Sequence, residues 1–425
     1  MTPDAPTQTT FATQTLKPTN PRPPRHIGRF LLFAAFLGSL FLLPMVIQSP
    51  LQIEKLNRFL TLALFALSVD LIWGYTGLLS LGQGLYFGIG AYLVAYSLNL
   101  QGANMRDRGP EYRYWYGPDM GLTEFMFQGQ LNEVPSLLAP LVNPYLAIFL
   151  AVAIPTLLAG LFGYVVFRRR IKGVYFSLIT QALVYAMFTL VSNQRSYTGG
   201  VDGQPGLPHL ELFGFAFRDR RDLNLMITVI LVLFGILSYL IVHSKFGKIL
   251  TAIRDNEFRV QALGYDTSMY KTFIYAFAGF MAGIAGALYV SSIRSIGPQV
   301  FSIEDSIVVV IFVAGGGRGT LFGPILGTLL IGFGQDRISS MGDVAIPTDL
   351  LNWLNLEDEI VEAAGTWCKL NFTRLWPIVL GTLFVTIVLF LPDGIVGGLV
   401  RLGNWIARLF TRKNSPASHS QVPAR

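Results

Sequence analysis

Apolar residues run through this chain in long blocks, not in the strict alternation of half-buried strands. The first block extends from Phe30 to Ile47, and others cover roughly 57–73, 79–98, 145–167, 173–192, 223–243, 272–292, 305–315, 319–334 and 376–392. A helix needs roughly 20 residues to cross about 30 Å of hydrocarbon. The pattern therefore predicts an all-α polytopic membrane bundle of about 10 spans, two of them short. The first block is nearly long enough to span and no small-x-small cleavage site follows it, so it is expected to be retained.

The polar stretches set the expected organisation. Residues 1–29 are rich in Thr and Pro and read as a disordered cytoplasmic tail. Residues 30–392 form one transmembrane domain, and 393–425 a second cytoplasmic tail. Alternating sides from an inner amino terminus places 19 Lys and Arg inside against 13 outside, the bias expected of cytoplasmic loops, and brings both termini to the inside. Segments 99–144, 193–222 and 335–375 come out external. The first carries Tyr112, Tyr114, Trp115 and Tyr116, which suit the headgroup level. The third holds Leu356, Ile360 and Val361 among acids, the pattern of a short surface helix.

Composition narrows the class further. Hydrophobic residues make up 52% of the 425, charged residues only 13%, against roughly a quarter in soluble domains. The net charge of +7 is spread too thinly to mark a nucleic-acid surface. One cysteine, Cys368, excludes an internal disulfide, and His26, His209, His243 and His419 lie too far apart in sequence to suggest a metal site. Gly315–Thr320 lacks the lysine of a phosphate loop and joins two apolar blocks. With no catalytic constellation and no chain of intramembrane ionisable groups, an enzyme or an ion-coupled carrier has little support.

What chemistry there is lies in glycines and in one acid. Gly84 and Gly88, Gly279 and Gly283, and Gly319 and Gly323 are each four apart, a spacing that lets helices approach closely. The run Gly74–Gly84 has enough glycine and hydroxyl groups to break a helix at membrane depth, where irregular backbone survives only against protein or a wet cavity. Asp70 would cost about 2.5–3.5 kcal/mol if ionised at a helix centre, so it must be paired, hydrated or protonated. It reads either as a pathway residue or as a carboxylate bonded to its neighbours. Ser177, Thr180 and Gln181 form a polar seam that would suit either a solute path or contacts between helices. Together with Tyr75, Ser80 and Gln83, these residues are the candidate translocation path.

Residues 244–268 form the most informative inner loop. Ala252, Ile253, Asn256, Val260 and Leu263 follow helical spacing, and Gly264 stands where a helix would stop. Both charge signs are present, which fits docking on a protein better than on lipid, though a solvated connecting helix would look similar. This segment, with Tyr270–Lys271, Ala278–Tyr289, Asp70–Gly84 and Gly316–Leu321, resembles the permeases of branched-chain-amino-acid-type ABC importers. Asp70–Gly77 and the run from Arg170 to Ala182 are most similar to the urea-permease branch.

That resemblance implies a transport subunit, not an enzyme, for a small polar solute, with urea expected first and a branched-chain amino acid second. It implies a bacterial inner-membrane location and no cofactor on this chain. ATP and magnesium would sit on two partner ATPase subunits docked at Ala252, Arg254, Asp255, Glu257, Arg259 and Gly264. A second, homologous permease would complete a heterodimer, and an extracytoplasmic solute-binding protein would deliver cargo. Membrane lipid surrounds the assembly, and no nucleic acid is involved. The rival from another class is a stand-alone urea or water channel.

Overall fold

The computed structural model describes residues 25–104 and 131–341 apart from positions 48, 132, 133, 137, 172 and 213, together with positions 123, 125, 126, 381, 382, 394 and 397. Most of the expected tenth span at 376–392, the aromatic cluster Tyr112–Tyr116, the acidic surface helix and most of both tails lie outside the described residues.

The described residues are largely helical. Its elements are α1 (Arg25–Ser39), α2 (Leu43–Val46), α3 (Pro50–Thr76), α4 (Gln83–Asn104), α5 (Pro144–Arg168), α6 (Val174–Asn193), α7 (Arg195–Thr198), α8 (Arg220–His243), α9 (Lys245–Ala262), α10 (Thr267–Ile293), α11 (Ile303–Gly316) and α12 (Phe322–Met341). One small antiparallel pair, β1 (Glu211–Leu212) with β2 (Phe215–Ala216), departs from the all-α expectation, as do isolated bridge residues at Thr123 and between Gln204 and Ile296. Among the described residues five helices, α3, α5, α6, α8 and α10, are long and apolar enough to cross a bilayer.

Local chemistry fixes the helix starts. Asn143, Asp219, Ser244, Asp266 and Ser302 each accept a backbone N–H in the first turn of α5, α8, α9, α10 and α11. The first apolar block is not one rod. Its helix already begins at Arg25, inside the expected tail, and a 3₁₀ turn at Leu40–Leu42 precedes the Pro44-containing α2. The block at 79–98 is displaced as a helix, because residues 77–82 are non-helical and α4 runs from Gln83 to Asn104.

α3 and α10 form the centre, packed on α4, α5, α8 and α12. Their approach is backbone to backbone where the glycines lie. Pro155 leaves the Ala151 carbonyl without its helical donor, and Gly283 packs against it; a β carbon there would come within 2.6 Å of that oxygen. Gly279 rests on Ala159 and Pro155, and Gly286 on the Phe87 carbonyl. At the other seam, Gly88 faces the Phe301 ring, Gly84 the Ser306 hydroxyl, and Gly323 lies against Gly317 and Thr320. Small residues at these points give the van der Waals contact that drives association where lipid supplies no hydrophobic force.

Candidate functional site

Helix α3 stops at Thr76 because Gly77 takes the left-handed conformation, φ +76°, and its N–H closes on Trp73. The Thr76 hydroxyl turns back to the Ile72 carbonyl. From there the chain runs non-helically through buried surroundings, so its backbone groups need partners. Helix α6 supplies them. Ser177 donates to the Leu79 carbonyl at 2.6 Å, and the Leu81 N–H donates to Thr180 at 3.3 Å. Gly82 passes so close to Thr180 that a β carbon would sit 2.6 Å from its Cβ. Ser80 meets the Tyr275 hydroxyl at 3.4 Å, and Tyr86 donates to the same hydroxyl.

Of the candidate path residues, Ser80, Ser177 and Thr180 are thus brought together around this broken segment. Gln181 lies half-buried one turn beyond Ser177 with no hydrogen bond among the described residues. Gln83 is fully buried at the start of α4, yet neither its amide nitrogen nor its oxygen finds a protein partner there. A buried amide left open on both atoms calls for water or a solute.

Asp70 and Tyr75 belong to a second cluster at the end of the bundle where α3 finishes. Asp70 is fully buried. Its Oδ1 accepts the Gly319 N–H at 2.7 Å, while Oδ2 has no partner among the described residues. Gly319 sits at φ +73° in the turn between α11 and α12, and Arg318 stacks over Trp73 at 5.0 Å. One turn below Asp70, the Gly74 carbonyl accepts from Arg254 Nη1 at 2.7 Å. A side chain at Gly74 would collide with both Asp70 and Gly319. Gly394 lies against Gly316 and Gly317 at this same end.

Arg254 therefore links the amphipathic loop to the foot of α3. That loop is helical, as its spacing predicts, but not a single helix. Asn256 is extended (φ −158°, ψ 95°), and its side chain caps the Arg259 N–H at 3.0 Å. The break separates the expected face: Ile253 and Val260 are buried, whereas Ala252, Asn256 and Leu263 are exposed. Glu257 also turns towards the bundle. Its carboxylate meets the Lys271 ammonium at 2.5 Å and accepts from Thr267 at 3.0 Å, with side-chain exposures of only 14% for Glu257 and 5% for Lys271. Asp255, Phe258, Arg259 and Gly264 face outward, Phe258 being 74% exposed and Leu263 72%.

Sequence reasoning did not pair Arg254 with Gly74, or Asp70 with Gly319, because these contacts join residues 180 and 249 positions apart. The two features it singled out, the buried acid and the amphipathic loop, meet in one cluster.

A model of the family described as branched-chain amino acid transport system, permease component, matches residues 52–388. The ribose import permease protein of Haemophilus influenzae is 26% identical over 204 residues, 46% of this chain and 62% of that protein. The high-affinity branched-chain amino acid transport system permease protein of Salmonella typhimurium is 24% identical over 291 residues, 63% of this chain and 59% of that protein. The chain thus spans about three fifths of the length of these relatives. Both are transport permeases, not enzymes. No solved structure matches.

Proposed function

We propose a working mechanism for a chain that belongs to the family of branched-chain amino acid transport permeases, the permease components of ABC transporters: it moves a small polar solute across the bacterial inner membrane when separate ATPase subunits displace α9. The observation that carries this reading is the double tie of α9 to the bundle. Arg254 holds the foot of α3 through the Gly74 carbonyl, and Glu257 holds α10 through Lys271. Any force on α9 reaches both central helices through a charged contact, without passing through loose chain.

In this mechanism the residues of α9 divide the work. The outward set, Asp255, Phe258, Arg259 and Leu263, forms the docking surface for an ATPase subunit. Arg254 and Glu257, turned inward, transmit the motion. Asp70 fixes the α11–α12 turn to the foot of α3, so that displacement there also reaches α11. The path runs beside the broken segment 77–82 and is completed by a second, homologous permease, with cargo delivered by an external binding protein. ATP and magnesium act on the partner subunits. A ligand-loaded partner must bind the two permease conformations with different affinity, because nothing else shifts their balance.

Urea is the solute proposed first, on the likeness of Asp70–Gly77 and Arg170–Ala182 to the urea-permease branch. A branched-chain amino acid is the second reading, favoured by the function that the Salmonella relative's name carries. The deciding experiment is reconstitution in vesicles. The chain with its homologous permease should conduct no urea and no leucine until ATPase subunits, binding protein and ATP are added. Passive urea flux through the chain alone would replace the importer with a channel.

A further inference from the structure

The half of the molecule away from Arg254 holds a recess that the mechanism above does not use. It is a cavity of about 240 Å³ between α3, α4, α10, α11 and α12, with Arg58, Tyr289, Asp305, Ser306 and Gln335 among its lining residues. Arg58 lies in the third turn of α3, about 12 Å along the axis from Pro50 at 1.5 Å per residue. Helix α11, which brings Asp305, has 14 residues and so is about 21 Å long, too short to cross about 30 Å of hydrocarbon. Its first turn brings Asp305 to the same recess as Arg58.

Charges set among apolar spanning helices are expensive and are normally closed in pairs. Here they are not. The Arg58 guanidinium lies near the Tyr289 hydroxyl and Asp305. Among the described residues, however, neither Arg58 nor Asp305 is held in an ion pair. Asp336, by contrast, is matched by Lys55 at 2.7 Å. Arg58 and Asp305 are both exposed at the mouth of the recess. A charged mouth cannot face lipid cheaply, so it opens onto water or protein. Gly84 lines the floor, where only a hydrogen lets the Ser306 hydroxyl approach the α4 backbone.

We infer that this recess is a solute-binding station on the translocation path. It would take a molecule that offers an oxygen acceptor to Arg58 and N–H donors to Asp305. Urea and an α-amino acid share that chemistry: a carbonyl or carboxylate oxygen beside one or more N–H groups. The cavity volume admits either. The inference rests on the permease reading, and adds to it where in the chain the solute is held and by which groups.

The test uses the assembled complex in vesicles, with urea and leucine as probes and co-purification of the ATPase subunits as the check on assembly. Arg58→Gln is expected to raise KM for the transported probe about tenfold or more, the loss typical of a hydrogen bond to a charged group. Arg58→Lys should recover part of that loss, and it decides the matter by the same readout if Arg58→Gln does not assemble. Asp305→Asn keeps an oxygen acceptor but no charge. Uptake of urea should then change less than about threefold, whereas uptake of leucine, whose ammonium needs the carboxylate, should fall about tenfold. Wild-type KM for both probes in assembled Arg58 and Asp305 variants would overturn the station and leave the permease reading standing. A wild-type chain that recruits no ATPase subunit would overturn that reading, and the station with it.

Discussion

The two ends of the bundle treat charge differently. At the α9 end three charged groups are tied to the core: Asp70 through Oδ1 to the Gly319 N–H, Arg254 to the Gly74 carbonyl, Glu257 to Lys271. At the other end, Arg58 and Asp305 face a recess without an ion pair, although Asp336 in the same recess is matched by Lys55; a second, larger cleft is lined by Arg218, Arg221 and His209, with Arg220 paired to Glu54 and Arg294 bonded to the Leu207 carbonyl. Closed contacts transmit displacement because breaking them costs energy. Open ones leave donors and acceptors free for something that passes. The difference fits a machine driven from one end and loaded from the other.

The strongest way to break this contrast is to open the closed end. Glu257→Ala would leave the Lys271 ammonium, 5% exposed, without its carboxylate. Losing one partner of a buried pair costs about 3–5 kcal/mol, so thermal unfolding of the purified chain should show a large fall in Tm. Replacing both partners, Glu257→Leu with Lys271→Leu, should restore most of the stability while leaving ATP hydrolysis unresponsive to solute. A double variant that remained coupled would show that the pair only packs α9, and transmits nothing.

The next test separates the two ties at the foot of α3. Arg254→Ala removes a charge-assisted bond worth about 1.5–3 kcal/mol, at the lower end because the side chain is partly solvated. Asp70→Ala leaves the Gly319 N–H without its acceptor, at about 1–3 kcal/mol. Arg254→Ala should reduce solute-stimulated ATPase activity with membrane insertion intact, and Asp70→Ala should impair uptake more than assembly. Normal activity in both variants would reduce the cluster to packing.

How far the sequence discloses this contrast depends on the range of the contacts. The spans read well from hydropathy, since a lipid-crossing helix is a local property. Even so, Gln52, Glu54, Lys55, Asn57 and Arg58 hide the first two turns of α3, because polar residues that face a partner look like a loop in a hydropathy window. The extended stretch 77–82 is masked in the opposite sense. Leu78, Leu79 and Leu81 are as apolar as a span, and only Gly77, Gly82 and Gly84 betray the break. The helix in the amphipathic loop is legible and its kink is not, since the apolar spacing runs through Asn256 without interruption. Arg58 escaped notice altogether. Its neighbours in the recess, Tyr289 and Asp305, lie more than two hundred positions away, and no spacing rule joins them.

The smallest expected effect belongs to the open end. His209 lies outside the spanning helices, in the cleft with Arg218 and Arg294. Burial, and then the nearby positive charge of Arg294 and Arg218, lower its pKa below the ordinary 6.5. The unfolded chain therefore binds a proton more readily than the folded one between that lowered pKa and 6.5. Stability contributed by neutral His209 is complete above pH 6.5 and declines as pH falls through the window below it. Tm of the purified chain should drop on acidification from pH 7, and His209→Gln should flatten that part of the curve without changing Tm at pH 7.5 by much. An identical acid limb in the variant would mean that the arginines of the cleft do not press on His209, and that this end, too, is electrostatically closed.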